Sequence, residues 1–233
     1  VSGPRSANEV VALLTADQPA FHHDGEREQV WSARPETLAW IASAAGPDDR
    51  TLETGSGAST VVFAASGAQH TAISPMAAEH RAVERWCEQH GVATGRVEFV
   101  EGYAEEVLPG WYSERPLDLA FIDGKHSFPY PILDWHYICN SLRVGGTVLL
   151  DDVRAPAVET LCRAMLADER GWQLVASLDG EAAAFRRLAE PPPGDAWQQE
   201  RLSSQAELSS ALGLDVQAPP RPGIRGALRR LRR

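Results

Sequence analysis

Residues 51–60, TLETGSGAST, constrain the fold of this chain more than any other stretch. Thr51 and Leu52 end a strand-like run, Glu53 opens a glycine-rich turn, and Ser59 and Thr60 start the helical run VVFAA. A strand that feeds a helix through so tight a turn is the opening of an α/β unit, with parallel strands and helices packed on the sheet faces. Gly55 and Gly57 have no Cβ, so the N–H groups of the turn can approach a ligand closely. In a dinucleotide site a third glycine follows and a pyrophosphate sits on the helix N-terminus. Here Thr60 holds the third position and an acid precedes the first glycine. A carboxylate in that place repels a pyrophosphate.

The same alternation runs down the chain. Helices are expected over 7–16 and 35–45, the second closed by Gly46-Pro47. HTAIS, 70–74, reads as a second strand, 77–90 as a helix stopped by Gly91, and RVEFV, 96–100, as a third strand before Gly102-Tyr103-Ala104. Leu117 to Ile122 is a fourth, apolar on both faces, ending in Asp123-Gly124. Pro129 and Pro131 open a helix to about Leu142, which Gly145-Gly146 breaks. Thr147 to Leu150 is a fifth strand, ending in Asp151-Asp152. After a helix over 156–170, Asp179-Gly180 between two apolar runs signals a tight hairpin. Three segments follow: an N-terminal helical or lid segment at 1–34, an α/β domain at 35–190, and a proline-rich linker with an arginine-rich arm at 191–233.

Glu53 with Gly55 and Gly57 resembles motif I of class I S-adenosylmethionine (SAM)-dependent methyltransferases. The resemblance extends over about 30–190 in topology as well as motif. It implies an α/β fold with a doubly wound, mostly parallel, seven-stranded sheet and a C-terminal antiparallel hairpin. It also implies that Glu53 pairs with the methionyl amino group and that Gly55, Ser56, Gly57, Ser59 and Thr60 lie along the cofactor. Such enzymes commonly hold the ribose with an acid after the second strand. Here that place is Ser74, with Glu79 either its stand-in or an N-terminal helix charge favoured by the dipole. Tyr103 stacks on adenine or merely packs, and Ala104 offers a backbone N–H.

Asp123 with Asp151-Asp152 resembles the ligand set of metal-assisted catechol and caffeoyl-type O-methyltransferases. Adjacent strands lie roughly 4.8 Å apart, so carboxylates at their ends share a small volume and repel unless a proton or cation intervenes. All-oxygen ligation favours Mg²⁺, with Mn²⁺ or Ca²⁺ as substitutes. The plainer alternative is that Asp151 and Asp152 cap the next helix without metal. Lys125 is the only lysine of the chain, and catechol-type enzymes carry a catalytic lysine three residues beyond the aspartate. In this chain His126 has that place and Lys125 is one short of it. Both are candidate bases, His126 the sharper because imidazole titrates near neutrality. The expected reaction is methylation of a small-molecule hydroxyl, in specialised metabolism or sugar tailoring. A metal-free transfer by His126, or a non-catalytic binding protein, is the alternative.

Other residues carry plainer readings. Asp134 and His136 are expected on a polar helix face. Phe128, Tyr130, Trp135 and Tyr137 are divided between acceptor pocket and core, and His22 and His23 sit in the lid segment. A formal charge of −10, from 22 Lys+Arg against 32 Asp+Glu, argues against a general nucleic-acid binder. Cys87, Cys139 and Cys162 have no C-x-x-C spacing and read as buried hydrophobes in a reducing cytoplasm. No signal peptide and no spanning run of roughly 20 apolar residues is expected. The last 13 residues hold six arginines and no acid, an arm suited to a membrane surface or to another copy in a homo-oligomer, unless it is a solvated tail.

Overall fold

The computed structural model describes residues 5–24 and 27–190; the linker and arginine arm expected at 191–233 lie outside it. A seven-stranded sheet forms the centre, in the order β5-β4-β3-β6-β7-β9-β8. Its strands are β3 (Arg50–Thr54), β4 (Gln69–Ser74), β5 (Val97–Glu101), β6 (Leu117–Ile122), β7 (Leu142–Leu150), β8 (Trp172–Leu178) and β9 (Ala182–Arg187). β3 to β7 run parallel, while β9 pairs antiparallel with both β7 and β8. Chain order reverses about β3: one direction leads to β4 and β5, the other to β6 and β7. In open α/β sheets a ligand crevice opens at the carboxyl ends of strands where the order reverses.

Period-two alternation divides the core. Leu119 and Phe121 of β6 face one layer, Ala120 and Ile122 the other. The first layer holds α1 (Ala7–Asp17), α2 (Pro35–Ala44), α3 (Ala58–Ser66) and α4 (Ala77–His90). The second holds α5 (Ala104–Val107), α6 (Tyr130–Ser141) and α7 (Pro156–Ala167). Val10, Leu14 and Phe21 are buried in the first layer, so the N-terminal segment shares a core with the domain from which the sequence suggested separating it.

Two local outcomes differ from the sequence reading. Gly145-Gly146, read as a helix breaker, lies inside β7, which begins directly after α6 at Leu142. The pairing with β6 slips between Leu117 and Leu119 there, and a Cβ on Gly146 would lie 2.9 Å from the Arg143 carbonyl oxygen. The glycines absorb an irregularity in the strand. A short hairpin also precedes α2, β1 (His22–Asp24) with β2 (Arg27–Gln29), an element not expected in the sequence reading although the sequence carries the turn dipeptide Asp24-Gly25 between the two runs. The hairpin expected at Asp179-Gly180 is present, with φ of 51° and 64°, the paired left-handed geometry that tight hairpins use.

Candidate active site

A cavity of about 820 Å³ opens at the carboxyl ends of β3, β4, β6 and β7, within the range of small-molecule sites. Its floor is set by backbone contact. Gly55 has φ of 103°, and a Cβ there would lie 2.7 Å from the Asp123 carbonyl oxygen. Only a glycine lets the β3 turn and the end of β6 meet this closely. Gly55 and Ser56 line the cavity.

Glu53 does not. It is 0% exposed and turned under the turn, where Ser59 Oγ donates at 2.6 Å, Thr60 Oγ1 donates in a short bond, and His70 Nε2 lies 3.1 Å away. His70 is fixed in turn by Thr51 Oγ1 at 2.8 Å and by stacking on Phe63. The expected contact of Glu53 with the methionyl amino group is therefore corrected: its carboxylate is saturated by internal partners and holds the turn in shape. Ser59 and Thr60 serve that carboxylate, and Thr60 Oγ1 also accepts the Gly57 N–H at 2.8 Å. Gly57 lies against the His22 ring, since a Cβ there would be 3.0 Å from Nε2.

On the β4 side, Ser74 Oγ donates to Glu79 Oε2 at 2.7 Å, and Glu79 Oε1 meets His22 Nδ1 at 2.9 Å. Burial raises the Glu79 pKa, but the bonds from His22 and Ser74 and the His22 charge outweigh it, and the net shift is downward. A charged acid thus stands beside Ser74, where ribose hydroxyls would need an acceptor. The segment from Val30 to Arg34 roofs the cavity with His22, the Trp31 ring lying 6.0 Å from that of His22. The side chain of His23 is not among those described. Tyr103 and Ala104 line the far wall.

Lys125 lies over the rings of Tyr103 and Tyr130, 3.9 and 4.3 Å from their centroids, and makes a short ion pair with Glu105. The Glu105 hydrogen bond raises its pKa. A lysine base needs the opposite shift, so the catalytic expectation for Lys125 is corrected to one of bracing this wall.

Asp123, Asp151, Asp152 and His126 do come together at the ends of β6 and β7, as the spacing implied. The His126 imidazole stands between two of the acids, Nε2 3.4 Å from Asp123 Oδ1 and Nδ1 3.1 Å from Asp152 Oδ2. Burial disfavours its charged form, but Asp123 first, then the charges of Asp152 and Asp151, outweigh burial and raise its pKa. Burial, with the charges of Asp123 and Asp152, holds the Asp151 carboxyl up to about 8. The oxygen donors and their crowding suit a hard cation. The arrangement does not: among the described residues no three His, Cys, Asp or Glu side chains are grouped to hold a metal ion, and the imidazole stands between two of the expected ligands.

Asp134, which the sequence suggested leaving on a polar face, is 1% exposed and lines the cavity. The available clue was its place four residues after Tyr130, one face of α6 that the cavity also touches. Of the aromatic residues divided between pocket and core, Tyr130 lines the cavity. Trp135 and Tyr137 pack on the second core layer, and Phe128 is exposed.

Residues 52–153 match a family model described as a methyltransferase domain. No curated protein sequence matches the chain significantly. Solved structures share its fold. Cofactor-bound Rv0187 from MTB is 19% identical with a TM-score of 0.59, covering 78% of this chain and 91% of that one. The SAH-bound Podospora anserina methyltransferase PaMTH1 is 20% identical at 0.56, covering 80% and 89%. The O-methyltransferase TomG from Streptomyces achromogenes, in complex with SAM, is 17% identical at 0.54, covering 81% and 92%. No described helix is long and apolar enough to cross a membrane. With the motif I turn, the reversed strand order and the antiparallel closing hairpin in one chain, this protein has the class I methyltransferase fold, and its residues 52–153 match a methyltransferase domain.

Proposed function

We propose that this enzyme transfers the methyl group of SAM to a hydroxyl of a small molecule, with His126 taking the proton. The observation that carries the proposal is the His126 imidazole at the cavity, its Nδ1 3.1 Å from Asp152 Oδ2 and its Nε2 buried without a hydrogen-bond partner, 3.4 Å from Asp123 Oδ1. The nucleoside fits the Ser74, Glu79, Tyr103 and Ala104 side, which leaves the sulfonium facing β6 and the acceptor beneath the roof of Val30 and Trp31. The acceptor oxygen attacks the methyl carbon, the carbon–sulfur bond breaks, and S-adenosylhomocysteine (SAH) leaves as the hydroxyl proton passes to His126. Alignment of oxygen, methyl and sulfur supplies much of the rate. The flanking carboxylates stabilise the imidazolium that forms. An aromatic ring or a sugar with a free hydroxyl suits a pocket walled by Trp31, Tyr103 and Tyr130, and TomG, an O-methyltransferase of the same fold, points the same way.

Assistance by a divalent cation is the second reading, favoured by the crowding that holds Asp151 near 8. Labelled SAM, a panel of phenols and sugars, and assays with EDTA or added Mg²⁺ separate the two. Transfer is expected to persist in EDTA. His126→Gln is expected to lower kcat by ~10²–10⁴-fold while SAH affinity holds. Loss of transfer in EDTA with recovery in Mg²⁺ would instead establish the cation, and an unchanged kcat in His126→Gln would remove the base.

A further inference from the structure

Asp134 is a carboxylate that nothing in the transfer step uses. It is 1% exposed, its Oδ1 has no hydrogen-bond partner, and it lines the cavity. Its neighbours are the two strand ends that form the floor. A Cβ on Gly124 would lie 3.5 Å from Asp134 Oδ2 and 3.2 Å from Thr54 Oγ1. The Thr54 hydroxyl stands close enough to Asp134 to offset part of its burial, but makes no hydrogen bond of normal geometry. Gly124 follows the backbone that Gly55 contacts, so Thr54, Gly55, Asp123 and Gly124 form one Cβ-poor patch beside Asp134. A nearly dry carboxylate without a full set of donors costs stability and is kept where a ligand completes it.

Four of the other five cavity carboxylates already have partners. Glu79 has Ser74 and His22, Glu105 has Lys125, and Asp123 and Asp152 share His126. Asp151 faces other acids at the transfer end. Glu53, the acid closest in sequence to the glycines, is closed off by its internal donors. The aminobutyrate chain of SAM must leave the sulfur between the nucleoside wall and the transfer site, and the remaining direction is over Gly55 and Gly124. We infer that Asp134 is the carboxylate that receives the methionyl ammonium group of SAM, in place of Glu53. Burial pushes its pKa up to about 6, so at neutral pH it keeps the charge that an ammonium would meet.

The inference rests on the methyltransferase identity and not on any acceptor. The test is calorimetry of the full chain and its Asp134→Asn variant with three ligands: SAH, deaminated SAH, and 5′-methylthioadenosine, which lacks the amino-acid part. Asp134→Asn is expected to weaken SAH by about 10-fold or more, the scale of a lost charge-assisted bond, and to leave the other two within about twofold. Equal weakening of all three would make Asp134 structural and overturn the inference, as would unchanged SAH affinity. Should the variant fail to fold, the wild type decides. A preference for SAH over its deaminated analogue of about 10-fold or more supports an ionic partner, and equal affinities overturn it. No binding of SAH by the wild type would remove the identity itself, and the inference with it.

Discussion

Asp151 shows how one buried residue can cost a fold stability. Burial and the charges of Asp123 and Asp152 push its carboxyl up to about 8 in the folded chain, from an ordinary value of 3.8. A raised folded pKa means that the native state binds the proton more tightly than the unfolded chain does. The resulting stability is intact below the unfolded pKa and drains away as pH rises from about 4 to about 8. At ~1.4 kcal/mol per pKa unit the full shift is on the order of 6 kcal/mol. Asp151→Asn keeps the shape and removes the charge, so it should melt higher than the parent, with a gap that widens between pH 5 and pH 8.5. Melting curves in EDTA at both values check this; a gap independent of pH would mean that Asp151 ionises freely.

At the scale of elements, the β3–α3 turn is the part on which binding depends. Its conformation is fixed twice, by the Gly55 N–H donating to the Ile73 carbonyl at 2.8 Å and by Glu53 gripping the first turn of α3. Gly55→Ala would force a Cβ to within 2.7 Å of the Asp123 carbonyl at a φ of 103°. That substitution is expected to cost roughly 2–4 kcal/mol through left-handed strain and overpacking. It should also push β6 away from β3 and weaken SAH binding by ~10-fold or more. Urea melts and SAH titration of the same variant check both; a variant that loses stability but binds normally would separate the turn from the site.

At the scale of the whole molecule, the roof and the core are continuous. α1 packs on α2 and α3, Phe21 is in the same layer, and His22 and Trp31 then cross the cavity. Val10, Leu14 and Phe21 each remove roughly 1.5–3 kcal/mol of apolar surface from water, comparable in sum with the ~5–15 kcal/mol that holds a domain folded. Deletion of residues 1–33 is therefore expected to abolish cooperative melting and near-UV circular dichroism. A truncated chain that melts sharply within a few degrees of the parent would make the segment a separable lid.

The strand and helix pattern and the hairpin at Asp179-Gly180 were legible in the sequence, because periodicity and turn chemistry act over a few residues, whereas the doubly wound order was implied only by the family resemblance. The gathering of Asp123, Asp151, Asp152 and His126 was legible too, since adjacent parallel strands present their carboxyl ends together. Which way an acid points was not. Alternation along β3 puts Glu53 on the face opposite Leu52 and Thr54, but whether that face meets ligand or core depends on where α3 packs and on His70, 17 residues away. Asp134 was only half readable for the same reason: its place four residues after Tyr130 put it on one face of α6, but nothing in α6 alone says that this face will close against the ends of β3 and β6. Local physics determined the elements of this protein and the inventory of its site. Packing between distant segments decided which carboxylates are spent on the fold and which face the cavity.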